Sequence, residues 1–217
     1  GIAGIATDGV PMMLFYLCGN AVWAFFSSCL VQNANTFTAN AYVFGKVYFP
    51  RLVMPIATVL TQLINFAIQF VFFLIFLIYY ANVPGSGVDP NFGLILLTPL
   101  VLLHMALLAM GVGVMISALT TKYRDLAMLV SFGVQLWMYA TPVTYPSSMI
   151  AQNFPQLMGL YMLNPMASIV ELFRAAYLGV GSFQVGYYMI SVGITLALLF
   201  GGLVLFSKTE KTFMDTV

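Results

Sequence analysis

Residues 55–81 read PIATVLTQLINFAIQFVFFLIFLIYYA, twenty-seven positions without one Asp, Glu, Lys or Arg. About 20 apolar residues in a helix cross the roughly 30 Å of hydrocarbon in a bilayer, so this run is long enough to span a membrane. It lacks the two-residue alternation of an outer-membrane barrel strand. Four further runs share its character, at about 11–31, 92–119, 126–146 and 184–206. The whole chain is 62% hydrophobic and 6% charged, against about a quarter charged in a soluble domain, so lipid must be the solvent for much of its surface. The expected fold is all-α and integral to the membrane: one transmembrane domain over 1–217 with five transmembrane helices.

Charge orients these spans. Lys46 with Arg51, Lys122 with Arg124, and Lys208 with Lys211 form three basic clusters, and Arg174 stands apart. The positive-inside rule places 32–54, 120–125 and the tail from 207 in the cytoplasm, and loops 82–91 and 147–183 outside. That puts the C-terminus in the cytoplasm and Gly1 outside, with no signal peptide visible. One further span upstream would reconcile the two, giving six in the intact pattern. The segment 147–183 is broken by Pro155 and Pro165 yet keeps apolar stretches, which predicts short re-entrant helices near the outer face. Asn164-Pro165 has the cap and first-turn proline of a helix start. Broken backbone at membrane depth is tolerated only against protein or a watery cavity.

Few residues offer chemistry. The formal net charge is +1, which argues against a nucleic-acid partner. His104 is the only histidine, so no histidine-based metal cluster can form. It is expected to be neutral and bonded to a neighbouring helix. Cys18 and Cys29, 11 residues apart in one helical run, would lie about 16 Å from each other, too far for a disulfide. They are expected to be buried small hydrophobes. No Walker-type loop occurs, and Asp8, Asp89, Asp125, Glu171, Glu210 and Asp215 are scattered. No catalytic residue and no metal ligand is expected. Gly111 and Gly113 predict a close helix crossing. Glu171 and Arg174, three apart, predict a mutually compensating pair.

Polar stripes say more. Tyr16, Asn20, Trp23 and Ser27 share a face of the first span; Thr58, Gln62, Asn65 and Gln69 share one of the second; Ser131, Gln135 and Tyr139 share one of the fourth. Such faces either bond helices together or line a conduit for a hydroxyl-rich substrate.

Ordered pieces of the chain resemble the permease subunit of ABC-2-type exporters, in the branch that exports O-antigen, capsule or teichoic acid. They are Lys46-Val47-Tyr48-Phe49-Pro50-Arg51 ending in Pro55, Tyr123-Arg124-Asp125, and Gln135-Leu136-Trp137 followed by Thr141-Pro142-Val143-Thr144-Tyr145-Pro146. Leu163-Asn164-Pro165-Met166 then leads to Glu171, Phe173, Arg174 and Gly179, and the tail carries Phe206, Glu210, Phe213 and Asp215. Thr141 and Thr144 depart from the family's usual Ser-Pro-Val-Ile-Tyr-Pro. The resemblance implies a non-enzymatic homodimer in the bacterial inner membrane carrying two separate ATP-binding subunits, with ATP and magnesium held there and no cofactor on this chain. The implied cargo is a polysaccharide on undecaprenyl pyrophosphate. Lys46, Tyr48, Phe49, Pro50 and Arg51 would contact the ATPase. Tyr145, Asn164, Pro165, Glu171 and Arg174 would form an outer gate. The family's N-terminal amphipathic helix and first span have no counterpart in the sequence, and the expectation is a chain shortened at its N-terminus. Two rival functions are an ABC-2 exporter of drugs or lipids, and an intramembrane lipid-linked glycosyl transferase, which would need clustered acids or histidines.

Overall fold

The computed structural model describes residues 7–40, 42, 52–122 and 126–214. Ten α-helices and one 3-10 turn make up the regular structure of these residues. They run α1 Met12–Ala34, α2 Thr36–Ala39, α3 Val53–Ala81, α4 Phe92–Ile95, α5 Thr98–Lys122 and α6 Leu126–Tyr139. Then come α7 Ser147–Asn153, the 3-10 turn Pro155–Leu157, α8 Met158–Tyr161, α9 Pro165–Tyr177 and α10 Val185–Met214. Four helices, α1, α3, α5 and α10, are long and apolar enough to cross a membrane.

The fifth expected span is shorter than 126–146. α6 has 14 residues, about 21 Å at 1.5 Å per residue, which does not cross the hydrocarbon unaided. Hydropathy stays high through Val143, but Pro142 and Pro146 stop the helix. A proline lacks the N–H for the helical bond, and its ring disfavours helical backbone in the preceding residue. The run at 92–119 is also broken. Asn91 caps α4 by accepting from Gly93 N at 3.1 Å and Leu94 N at 3.3 Å, and the long helix begins at Thr98. The expected short helices of 147–183 are α7, α8, α9 and the 3-10 turn.

α5 runs between α1 and α10, and glycine sets both distances. A Cβ on Gly113 would come within 2.6 Å of Asn33 Cβ and 2.9 Å of Leu30 O in α1; one on Gly111 would reach 2.8 Å from Leu199 Cα, and one on Gly202 would collide with Gly111 O. Without a hydrophobic force between helices in lipid, this close packing is what holds spans together. His104 adds a polar bridge, 2.9 Å from Thr195 Oγ1, with Ser191 Oγ at 3.4 Å. It bonds a neighbouring helix, as its isolation predicted. Cys18 and Cys29 are free and buried.

The two ends of the bundle differ. At one, Phe37 stacks on Phe206 with centroids 4.5 Å apart, Thr120 Oγ1 donates to Ala34 O at 3.1 Å, and Leu52 packs against Phe37, Val114 and Phe206. Lys122 ends α5 there, and Leu52 follows Arg51 in sequence. At the other, Asp89 N donates to Leu178 O at 3.1 Å, Asn91 N to Ala176 O at 2.9 Å, and Ser148 Oγ to Asp8 at 2.7 Å. The loops without basic clusters gather at this second end.

Candidate functional site

α3 and α6 both pack on α1, from different sides. Phe25 meets Phe66 of α3 at 5.6 Å, while Phe26 and Trp23 meet Trp137 of α6 at 5.2 and 6.5 Å. At 100° per residue, Tyr16, Asn20 and Ser27 fall between these two contact sides. α1 therefore forms the floor of an open face, with α3 and α6 as its borders. Asn20, Asn65, Gln69, Ser131, Gln135 and Tyr139 are exposed, and Tyr16, Ser27 and Thr58 are half-buried. Two stripe residues are exceptions: Trp23 turns into the aromatic contact with α6 and is 6% exposed. Gln62 is also buried and accepts from Asn65 Nδ2 at 3.0 Å. Ser27 Oγ bonds Ala24 O of its own helix. Among the described residues, none of these side chains hydrogen-bonds to a neighbouring helix.

The second constellation lies at the end opposite Leu52, Phe37 and Phe206. The turn that follows α6 exposes main-chain carbonyls that belong to no helix and need donors. Arg174, 1% exposed, supplies donors: Nη2 donates to Val143 O at 2.7 Å and Nη1 to Tyr145 O at 3.3 Å. Its guanidinium lies 3.8 Å from the Phe15 ring centroid in α1, a cation–π geometry. Glu171 Oε1 sits 3.5 Å from Arg174 Nη1, and Oε2 accepts from Ser182 N at 2.6 Å. Ser182 in turn hydrogen-bonds Ser147 at the start of α7. Burial pushes the Glu171 carboxyl above its usual range, while the Arg174 guanidinium and the Ser182 amide pull it back.

Hydrogen bonds also hold the other three expected outer-gate residues, Tyr145, Asn164 and Pro165. Asn164 Oδ1 accepts from Trp137 Nε1 at 3.0 Å and from Met166 N at 3.1 Å, capping α9; its Nδ2 donates to Ala140 O at 3.0 Å and Thr141 Oγ1 at 2.9 Å. Pro165 O accepts from Ser191 Oγ at 2.9 Å. Tyr145 OH donates to Tyr139 O at 2.8 Å and accepts from Tyr161 OH at 3.1 Å. Burial, then the hydrogen bond to Tyr145, pushes the Tyr161 phenol above its ordinary value, so it stays a neutral donor. Glu171 and Arg174 thus pair as their spacing predicted, and they also tie α1, the turn after α6 and the loop before α10 into one unit.

The profile of the ABC-2 type transporter family matches residues 3–178. This chain belongs to that family. Among its relatives are two O-antigen export system permease proteins RfbA of Klebsiella pneumoniae, each 28% identical over 93% of this chain and 74% of the relative. A protein of the same name from Myxococcus xanthus is 25% identical over 98% of this chain and 79% of its own length.

In this ABC-2 transporter chain, the expected coupling residues Lys46, Tyr48, Phe49, Pro50 and Arg51 lie outside the described residues, as do Tyr123, Arg124 and Asp125. Sequence reasoning missed Phe15, Gly19, Gly181, Ser147 and Ser182. A Cβ on Gly19 would collide with Val143 O, and one on Gly181 would reach 2.8 Å from Glu171 Oε2, so both glycines make room for the ion pair. The only sequence signal was a glycine, Gly19 in a helical run and Gly181 in a loop, which does not say what approaches it. Replacing Asn164 with alanine should destabilise the chain by about 1 kcal/mol through the lost cap. It should also free Trp137, shifting the tryptophan emission of the purified protein; an unchanged spectrum would mean that the indole is not held there.

Proposed function

We propose that this chain is the transmembrane subunit of an exporter that moves a polysaccharide linked to undecaprenyl pyrophosphate across the bacterial inner membrane. Two separate ATP-binding subunits, holding ATP and magnesium, drive it. The observation that carries this reading is the open face of α1, α3 and α6. Polar side chains at mid-span are costly in lipid and mark pathways when they do not bond other helices. Uncharged amides, hydroxyls and aromatic rings are the groups that bind sugars. The names of the relatives support the same cargo.

A second copy of the chain would close this face. Two identical faces related by a two-fold axis enclose one channel, as an isologous homodimer does. Tyr16, Asn20, Trp23, Ser27, Thr58, Gln62, Asn65, Gln69, Ser131, Gln135 and Tyr139 would contribute to its wall, with Trp23 acting from beneath by fixing α6. The basic clusters and the C-terminus would face the cytoplasm. There the segment Lys46–Arg51 would touch the ATPase, and Leu52, packed against the Phe37, Val114 and Phe206 cluster, would pass its motion to α2, α5 and α10. Tyr145, Asn164, Pro165, Glu171 and Arg174 would gate the outer exit.

The test is ATP hydrolysis by the permease reconstituted with its ATPase. Purified lipid-linked glycan should stimulate it several-fold, and hydrophobic drugs should not. Stimulation by drugs alone would overturn the assignment of cargo.

A further inference from the structure

Where α3 meets α1, the seam holds a cavity of about 270 Å³ lined by Phe25 and Ser28 of α1 and by Gln62, Asn65, Phe66 and Gln69 of α3, among others. Its polar groups are mostly uncommitted. Gln62 Oε1 accepts from Asn65 Nδ2 at 3.0 Å, which orients both amides. Gln62 then keeps its two N–H donors, Asn65 keeps its carbonyl oxygen and second N–H, and Gln69 and Ser28 keep their full capacity. Among the described residues no hydrogen bond from these four crosses the seam, so helix pairing does not account for them. The apolar wall is aromatic: the Phe25 and Phe66 rings stand edge to face, 5.6 Å apart at 64°.

This combination narrows the occupant. An acyl chain would leave the remaining donors and acceptors of three amides and a hydroxyl unmet, which is costly away from water. A phosphate or uronate calls for a cationic donor, and none lines the cavity. A metal ion calls for carboxylate, thiolate or imidazole, also missing from the lining. A neutral sugar ring matches both features, because its hydroxyls both donate and accept and its C–H face packs on aromatic rings.

We propose that the α1–α3 cavity is a notch for one neutral pyranose unit, with Gln62, Asn65 and Gln69 reading its hydroxyls. The proposal deepens the export reading and rests on it: the notch would hold successive units weakly as the chain advances, since conduction needs sites that release as readily as they bind. It also assigns a selectivity, for uncharged over acidic units.

Two measurements test it. In cells lacking the gene, the wild-type chain should restore surface glycan, and the double variant Asn65→Leu with Gln69→Leu should restore about tenfold less. That is the factor expected from losing one to two neutral hydrogen bonds of about 1 kcal/mol each. Ser28→Ala, on the α1 side, should lower it less. Equal restoration by wild type and double variant, at equal abundance, overturns the notch and leaves the export reading standing. Failure of the wild type itself strikes the export reading. For the purified full chain in detergent, saturation-transfer NMR should show contact with a neutral mannose oligomer, lost in the double variant and absent with polygalacturonate. Transfer to polygalacturonate alone would overturn the selectivity.

Discussion

Arg174→Met should destabilise the purified chain by about 3–5 kcal/mol, the usual consequence of removing one partner from a buried ion pair. The loss has three sources in this structure. Glu171, itself 1% exposed, would lose the cation that offsets its burial, and would have to take up a proton or stay charged alone. Val143 O and Tyr145 O would lose their donors. The Phe15 ring would lose the guanidinium stacked 3.8 Å away. Denaturation by titrated detergent in mixed micelles would measure this directly. The double variant Glu171→Leu with Arg174→Met should lie closer to wild type, because no uncompensated charge remains. Arg174→Lys should not rescue, since an ammonium cannot bond two carbonyls in a fork while lying flat on a ring. A methionine variant as stable as wild type would show that the pair does not hold the turn to α1.

Gly113→Leu should be at least as damaging, at about 3 kcal/mol or more from overpacking. The atoms in the way are Leu30 O and Asn33 Cβ, main-chain or close to it, so no rotamer change relieves the clash. α1 and α5 would have to separate, and α1 is also the helix on which α3 and α6 are mounted. Gly133→Leu in α6 is the matched control, because a Cβ there meets nothing within 4 Å. Thermal melting and gel filtration of the two variants should diverge sharply; similar behaviour would mean that the α1–α5 crossing is not as tight as described.

Much of this was legible beforehand, for identifiable reasons. Long uncharged runs must be membrane helices, since a bilayer leaves the backbone few other ways to satisfy its polar groups. α1, α3, α5 and α10 follow from that constraint. The error at 126–146 has the same root: hydropathy counts apolar residues and does not register that Pro142 stops a helix which Val143 would otherwise extend. The i, i+3 spacing of Glu171 and Arg174 announced a pair but not its burial. Whether Asn20, Asn65 and Gln135 bond other helices or face an opening was left undecided by spacing, because spacing fixes a face and not the neighbour opposite.

By itself, the sequence determined the membrane class, the spanning helices other than α6, the polar stripes and the capped start of α9. All of these depend on residues within one helix or one short loop, where local periodicity and backbone chemistry decide. Only the tertiary structure decided that α1 lies between α3 and α6, that Gly111, Gly113 and Gly202 bring three helices together, and that Arg174 holds the turn after α6. Each of those depends on groups distant in sequence meeting at contact range, which no single stretch of the chain encodes.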